Sequence, residues 1–198
     1  MKRTRARWAR TVCVVAGTAV AAVAASSAFA SPSGLYTALL TTSYRDSELS
    51  SDFSAAKVSL LKPTNHAKSH HVVGEVEVDL NGPDPGDAIL YAVFPSAHDA
   101  RADLAQKPVN GGHLVGKVPG YKIPSALYAG TVSGKNAFGQ SVKNGVTAAG
   151  VVKGSVLVAA LTSSADNPDS GNVPAALALL RSGLRHLSRV EAAVLRQH

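Results

Sequence analysis

The sequence predicts an α+β domain: a mostly antiparallel sheet of about six strands, flanked by helices in the order helix-βββ-helix-βββ-helix. Three observations carry this. Glu75, Glu77 and Asp79 alternate with Val76, Val78 and Leu80, a period of two that marks a half-buried strand. Two apolar arms, 146–152 and 155–163, face each other across Lys153-Gly154 as a hairpin. Leu177, Leu180, Leu184 and Leu187 recur at helical spacing near the C-terminus, one amphipathic face. Runs of strands joined by short turns, with helices between them, favour a sheet with helices packed on it, here as a single domain over 31–198.

Taken in order, residues 34–42 (GLYTALLTT) predict a short helix with Leu35, Leu39 and Leu40 on one side. The segment 43–53 is polar and turn-like. Residues 56–62 predict a strand, followed by a polar break at 63–69 and the alternating strand at 72–80, its acidic face outward. Asn81 to Gly86 (NGPDPG) is turn chemistry. Residues 88–94 (AILYAVF) are apolar on both faces, as in a central strand covered on each side. Ser96 with Asp99 three residues later predicts a capped helix through about Lys107. The Gly- and Pro-rich stretch 108–125 reads as a long loop, and 127–133 as a further strand. Ala148, Ala149, Gly150, Ala159 and Ala160 keep the hairpin thin, so that a helix can pack closely. After a polar loop at 164–172, Pro174 sits where a first helical turn tolerates it.

The N-terminus reads as a cleavable export signal. Lys2, Arg3, Arg5, Arg7 and Arg10 precede the apolar run 11–25, and Ala28-Phe29-Ala30 places small residues at a peptidase exit. Cleavage is expected after Ala30. The apolar run is short of the roughly 20 residues that span a bilayer, so no transmembrane segment is expected after cleavage. The protein is accordingly expected to be secreted. Of the 20 Lys and Arg, five leave with the leader, and 15 then face 13 Asp and Glu. A net charge near +2 removes the argument for nucleic acid that the whole chain's pI would make. The single cysteine, Cys13, also lies in the leader. The remaining domain has no disulfides, thiol nucleophile or Cys-based metal site, and stands on its core alone.

The candidate chemistry is sparse. His66, His70 and His71 cluster in NHAKSHH, and three neighbouring imidazoles suit zinc or copper, though a polar connection needs no ligand. Neighbouring imidazoles also titrate near neutrality and repel once protonated. Asp79, Asn81, Asp84 and Asp87 crowd a turn, but Asp84 stands where a calcium loop requires Gly, and a solvated turn accounts for them. No Gly-x-Ser-x-Gly, Ser-x-x-Lys or His-Glu-x-x-His motif is present, so no catalytic residue and no cofactor is assigned. Arg181, Arg185 and Arg189 stand at i, i+4 and i+8 as a basic ridge, either a solvated helix face or a partner-binding surface.

Residues 37–58, 68–96 and 132–190 together resemble a group of secreted actinobacterial proteins. The element order more loosely resembles the extracytoplasmic sensor-type domains of actinobacterial receptor kinases and related lipoproteins, and PsbP-like domains. The resemblance implies an antiparallel sheet flanked by helices, and no site residue. The disulfides usual in the sensor domains have no counterpart once Cys13 leaves. The leading expectation is a secreted, non-enzymatic binding or sensing domain for a small ligand, a cell-wall component or a protein. Two alternatives stand beside it: an extracellular hydrolase whose His and carboxylate groups assemble only in the fold, and a surface interaction protein without a pocket. A pocket is expected beside the 108–125 and 134–144 loops.

Overall fold

The computed structural model describes residues 31–63, 65–82, 86–105, 113–135, 141–164 and 172–197. The expected leader and the interiors of several connecting loops lie outside them. Its elements are α1 (Pro32–Thr41), β1 (Ser54–Leu61), α2 (Asn65–Ser69), β2 (Gly74–Asn81), β3 (Ala88–Val93), α3 (Ala97–Leu104), β4 (His113–Gly116), β5 (Ser125–Lys135), β6 (Ser141–Lys153), β7 (Val156–Ser164) and α4 (Val173–Leu195). One 3₁₀ turn, Asp46–Glu48, lies between α1 and β1. The seven strands form one sheet in the order β1-β2-β3-β7-β6-β5-β4, and every neighbouring pair is antiparallel.

The α+β class and the antiparallel sheet stand as expected, and the described residues form seven strands where about six were expected. The added strand, β4, lies inside the stretch read as a loop. It is four residues long, bulged against β5 and exposed, so it lacks the buried alternation that reveals a strand in sequence. The polar break at 63–69 likewise holds the five-residue α2. Each was invisible for the same reason, which is that neither contributes a long apolar period.

α4 sets the packing. Asn172 caps it by accepting from the Ala175 amide, and Pro174 occupies its first turn. It lies with α1 on one face of the sheet, over Val76, Val78, Ile89, Tyr91 and Val158. Its buried stripe runs Ala176, Leu179, Leu180, Gly183, His186, Leu187, Val190 and Val194. Gly183 is the point of closest approach: a Cβ there would come within 2.9 Å of both Ile89 and Val158. α3 covers part of the other face through Ala100, which packs with Ala92, Phe94, Val152 and Leu157. Ser96 caps α3 as its spacing from Asp99 predicts.

The acidic face of β2 is less open than expected. Glu75 is buried, and Glu77 and Asp79 are half-buried. The Glu77 carboxyl is pushed up by its burial, with the Asp79 charge adding to the effect. Among the described residues, no helix is long and apolar enough to cross a membrane.

Candidate functional site

The chain builds an open groove of about 710 Å³ where α3 ends beside β4 and β5. Its back wall comes from the last turn of α3, with Arg101, Leu104 and Ala105, and from Ser125, Ala126 and Tyr128 of β5. Tyr128 fastens the two by donating its hydroxyl to the Leu104 carbonyl at 3.2 Å. Burial pushes the Tyr128 hydroxyl above its ordinary pKa, so it remains a neutral donor. The outer wall is Leu114 and Gly116 of β4, with Lys117, Lys122, Ile123 and Pro124 from the connection to β5.

Local sequence shapes that connection. Val118, Pro119, Gly120 and Tyr121 form a tight turn closed by a 3.4 Å bond from the Tyr121 amide to the Val118 carbonyl. Proline supplies the first central position, and Gly120 has φ +82, a conformation that L side chains rarely adopt. Buried Val118 pins the turn to the core, and its amide donates to Ser125 Oγ at 3.2 Å. The groove is thereby held against the sheet rather than hung on a loop. Arg101, Lys117 and Lys122 supply cations, Leu104, Leu114, Ile123 and Pro124 supply apolar surface, and no carboxylate lies among the described lining residues. Such a lining suits a ligand with a hydrocarbon part and an anionic head.

A second constellation lies on the opposite face, beneath the segment joining α1 to β1. Glu48 is buried, and its Oε1 accepts from Arg189 Nε at 2.5 Å. Oε2 accepts from Arg189 Nη2 at 2.9 Å, from the Arg45 amide at 2.9 Å and from His186 Nδ1 at 3.0 Å. The tautomer of His186 follows from counting hydrogens. Arg189 Nη2, whose two hydrogens go to the Ser43 carbonyl at 2.6 Å and to Glu48, also lies 3.1 Å from Nδ1; because the ionised Glu48 carboxylate can only accept, the His186–Glu48 bond places the proton on Nδ1. The Tyr44 ring stacks on the imidazole at 3.9 Å, and its hydroxyl bonds to that of Tyr91, which donates to the Gly183 carbonyl at 3.0 Å.

The charges follow this geometry. Burial alone would raise the Glu48 carboxyl, but the Arg189 guanidinium, the Arg45 amide and His186 overcome it and hold the pKa at about 2. His186 is lowered, chiefly by burial, against the opposing pull of Glu48. A His–carboxylate pair is what the hydrolase alternative requires. Here the pair is closed under Tyr44, and its hydrogen bonds go to anchoring residues 43–48 on α4.

Comparison with protein-family models, curated proteins and solved structures returns no match.

Of the basic ridge, two members belong to this anchor. Arg185 Nη2 donates to the Glu48 carbonyl at 2.7 Å and to Ser182 Oγ at 3.2 Å, and Arg189 pairs with the Glu48 carboxylate. Arg181 is exposed. Arg185 is also exposed and Arg189 half-buried, so the ridge faces solvent while two of its members tie residues 43–48 to α4. In the histidine cluster, His70 is half-buried and His71 exposed, while the side chain of His66 lies outside the described residues. Among the described residues, no group of three or more His, Cys, Asp or Glu is placed to hold a metal. His71 closes α2: its φ is +59, its amide donates to the Lys68 carbonyl and that of Val72 to the Ala67 carbonyl. Because that conformation is costly for a non-glycine residue, His71→Gly is expected to raise stability by up to about 1 kcal/mol, read from the shift in urea midpoint.

The groove itself was only half legible. Of the two expected borders, 108–125 supplies lining through residues 114–125, whereas no described residue of 134–144 lines the groove. Arg101 and Leu104 come from α3, and their contribution depends on how that helix ends over β5, which no local pattern states. Glu48 and His186 were missed altogether. His186 left one signal, its place at helical spacing between Gly183 and Val190 on the apolar stripe.

Proposed function

We propose that this protein is a secreted, non-enzymatic binding domain whose groove between α3 and β4–β5 holds a small amphipathic anion. One observation carries the reading: three cations border apolar surface in an open groove, with no acid among its described lining residues. Export is the part that rests on sequence, on the basic head, apolar run and Ala28-Phe29-Ala30 exit of residues 1–30. The apolar wall takes the hydrocarbon part, whose removal from water gives most of the binding free energy, roughly 0.8 kcal/mol per methylene. The cations fix the head and discriminate against a neutral ligand of the same length.

The test is a calorimetric titration of the protein with monomeric decanoate, beside decanol as the uncharged comparator. Decanoate is expected to bind and decanol to bind more weakly. The double variant Lys117→Glu, Lys122→Glu is expected to lose at least about tenfold in decanoate affinity, equivalent to about 1.4 kcal/mol. Equal affinity for the two ligands, or a double variant that binds decanoate like the parent chain, overturns the assignment.

A further inference from the structure

The margin of the sheet next to the groove carries more apolar surface than a small ligand can cover. Leu114 is 61 % exposed, Val115 54 % and Ile123 41 %. Edge strands ordinarily carry charge or proline to discourage contact, and β4 carries neither in His113-Leu114-Val115-Gly116. The three side chains do not share one pocket. Leu114 and Ile123 line the groove, whereas Val115, the extra residue of the bulge between Leu114 and Gly116, is exposed and no part of its wall. An occupant that satisfies all three has to extend beyond the groove along the edge of β4. Lys117 and Lys122 flank that edge, so the occupant is also anionic.

We propose that β4 and the connection to β5 form a docking edge for an anionic lipid surface. Leu114, Val115 and Ile123 enter the headgroup layer, and Lys117, Lys122 and Arg101 meet the phosphates. This inference rests on the groove reading, because the same cations serve both, and it names the lipid headgroup as the source of the anion. The depth is limited by the backbone. Among the described residues no strand pairs with the outer side of β4, and backbone amides and carbonyls there are groups that hydrocarbon cannot satisfy but the hydrated headgroup layer can. Lysine suits this depth, since its stem lies along apolar surface while its ammonium stays with phosphate and water.

The experiment is co-sedimentation of the protein with phosphatidylcholine vesicles, and with vesicles of phosphatidylcholine and phosphatidylglycerol in equal parts. Binding to the anionic vesicles alone is expected, weakening as salt is raised from about 0.05 M to about 0.5 M. Val115→Asp is expected to lose at least about tenfold in vesicle affinity through an unfavourable charge in the interface, while decanoate binding stays unchanged because Val115 is outside the groove. Val115→Ser serves the same purpose should the aspartate disturb β4, which a thermal melt reveals. Decanoate binding without vesicle binding overturns the lipid edge and leaves the groove reading standing; loss of both overturns both. Equal binding to the two vesicle types, or a Val115 variant that binds like the parent chain, also overturns it. So does a dimer in solution that Val115→Asp dissolves without lipid, which assigns the edge to a second copy of the chain.

Discussion

Glu48→Ala is expected to lower the stability of the fold by about 3 kcal/mol at pH 7, among the largest effects of any single change outside the apolar core. The reason is asymmetry. In the intact chain one buried carboxylate satisfies the Arg45 amide, two nitrogens of the Arg189 guanidinium and the His186 Nδ1–H. Alanine leaves those donors facing a cavity. Arg189 is partly exposed and can recover water, but His186 is sealed under Tyr44 and cannot. The cost then falls at the lower end of the range for broken buried pairs, about 3–5 kcal/mol.

The same carboxylate predicts an acid limb in the stability profile. Its pKa falls from an ordinary 4.5 to about 2 on folding, so the unfolded chain binds the proton more readily. The stabilisation is therefore complete above about pH 5, and it is lost progressively as pH falls from there towards 2. Each pH unit between the folded and unfolded values is worth about 1.4 kcal/mol, so the contribution again comes to roughly 3 kcal/mol. Urea melts at a series of pH values check this. The parent chain is expected to lose stability steeply between about pH 5 and pH 2, Glu48→Gln to be flatter there, and the two curves to converge at the acid end. Parallel curves for the parent and Glu48→Gln would show that the acid limb belongs to other carboxylates.

What sequence can and cannot disclose divides along sequence separation. Strands β2, β3, β6 and β7 were legible because each carries its own period or its own turn: Glu75 to Leu80 alternates, and Gly154, with φ +60, turns the β6–β7 hairpin where Lys153-Gly154 predicted it. Ser96 and Asp99 announced α3 in the same local way. The anchor did not announce itself, because Glu48 and Arg189 are 141 positions apart and only the docking of α4 brings them together. Glu48 looked like one polar residue in a polar turn. Arg185 and Arg189 read as a solvent-facing ridge because basic residues at i and i+4 are the usual composition of one; Arg185 is indeed exposed, and nothing local signals that both also bond to Glu48. β4 stayed hidden for a further reason, since a four-residue exposed edge is defined by the hydrogen bonds of its partner β5 rather than by any pattern of its own.

The helix that closes the core shows the limit of periodicity even where it succeeds, and it makes the second large prediction. Spacing alone placed the centre of the α4 face on Leu177, Leu180, Leu184 and Leu187. The docked helix is rotated so that Leu179 is fully buried and Leu177 and Leu184 are only partly covered at the flanks. The rotation follows from size. Gly183 is the residue on α4 at which a Cβ would crowd Ile89 and Val158, so the helix turns Gly183 to the sheet and carries Leu179 and Leu187 in with it. Leu179→Ala is therefore expected to cost about 2–5 kcal/mol, as deletion of a fully enclosed leucine leaves a cavity that the sheet cannot collapse into. Leu184→Ala is expected to cost less than half as much, because solvent and flanking side chains refill a half-open site. Paired urea melts of the two variants decide between the faces. A larger loss for Leu184→Ala than for Leu179→Ala would return the helix to the rotation that spacing alone implies, and would take the Glu48–His186–Arg189 anchor with it, since His186 reaches Glu48 only when Gly183 faces the sheet.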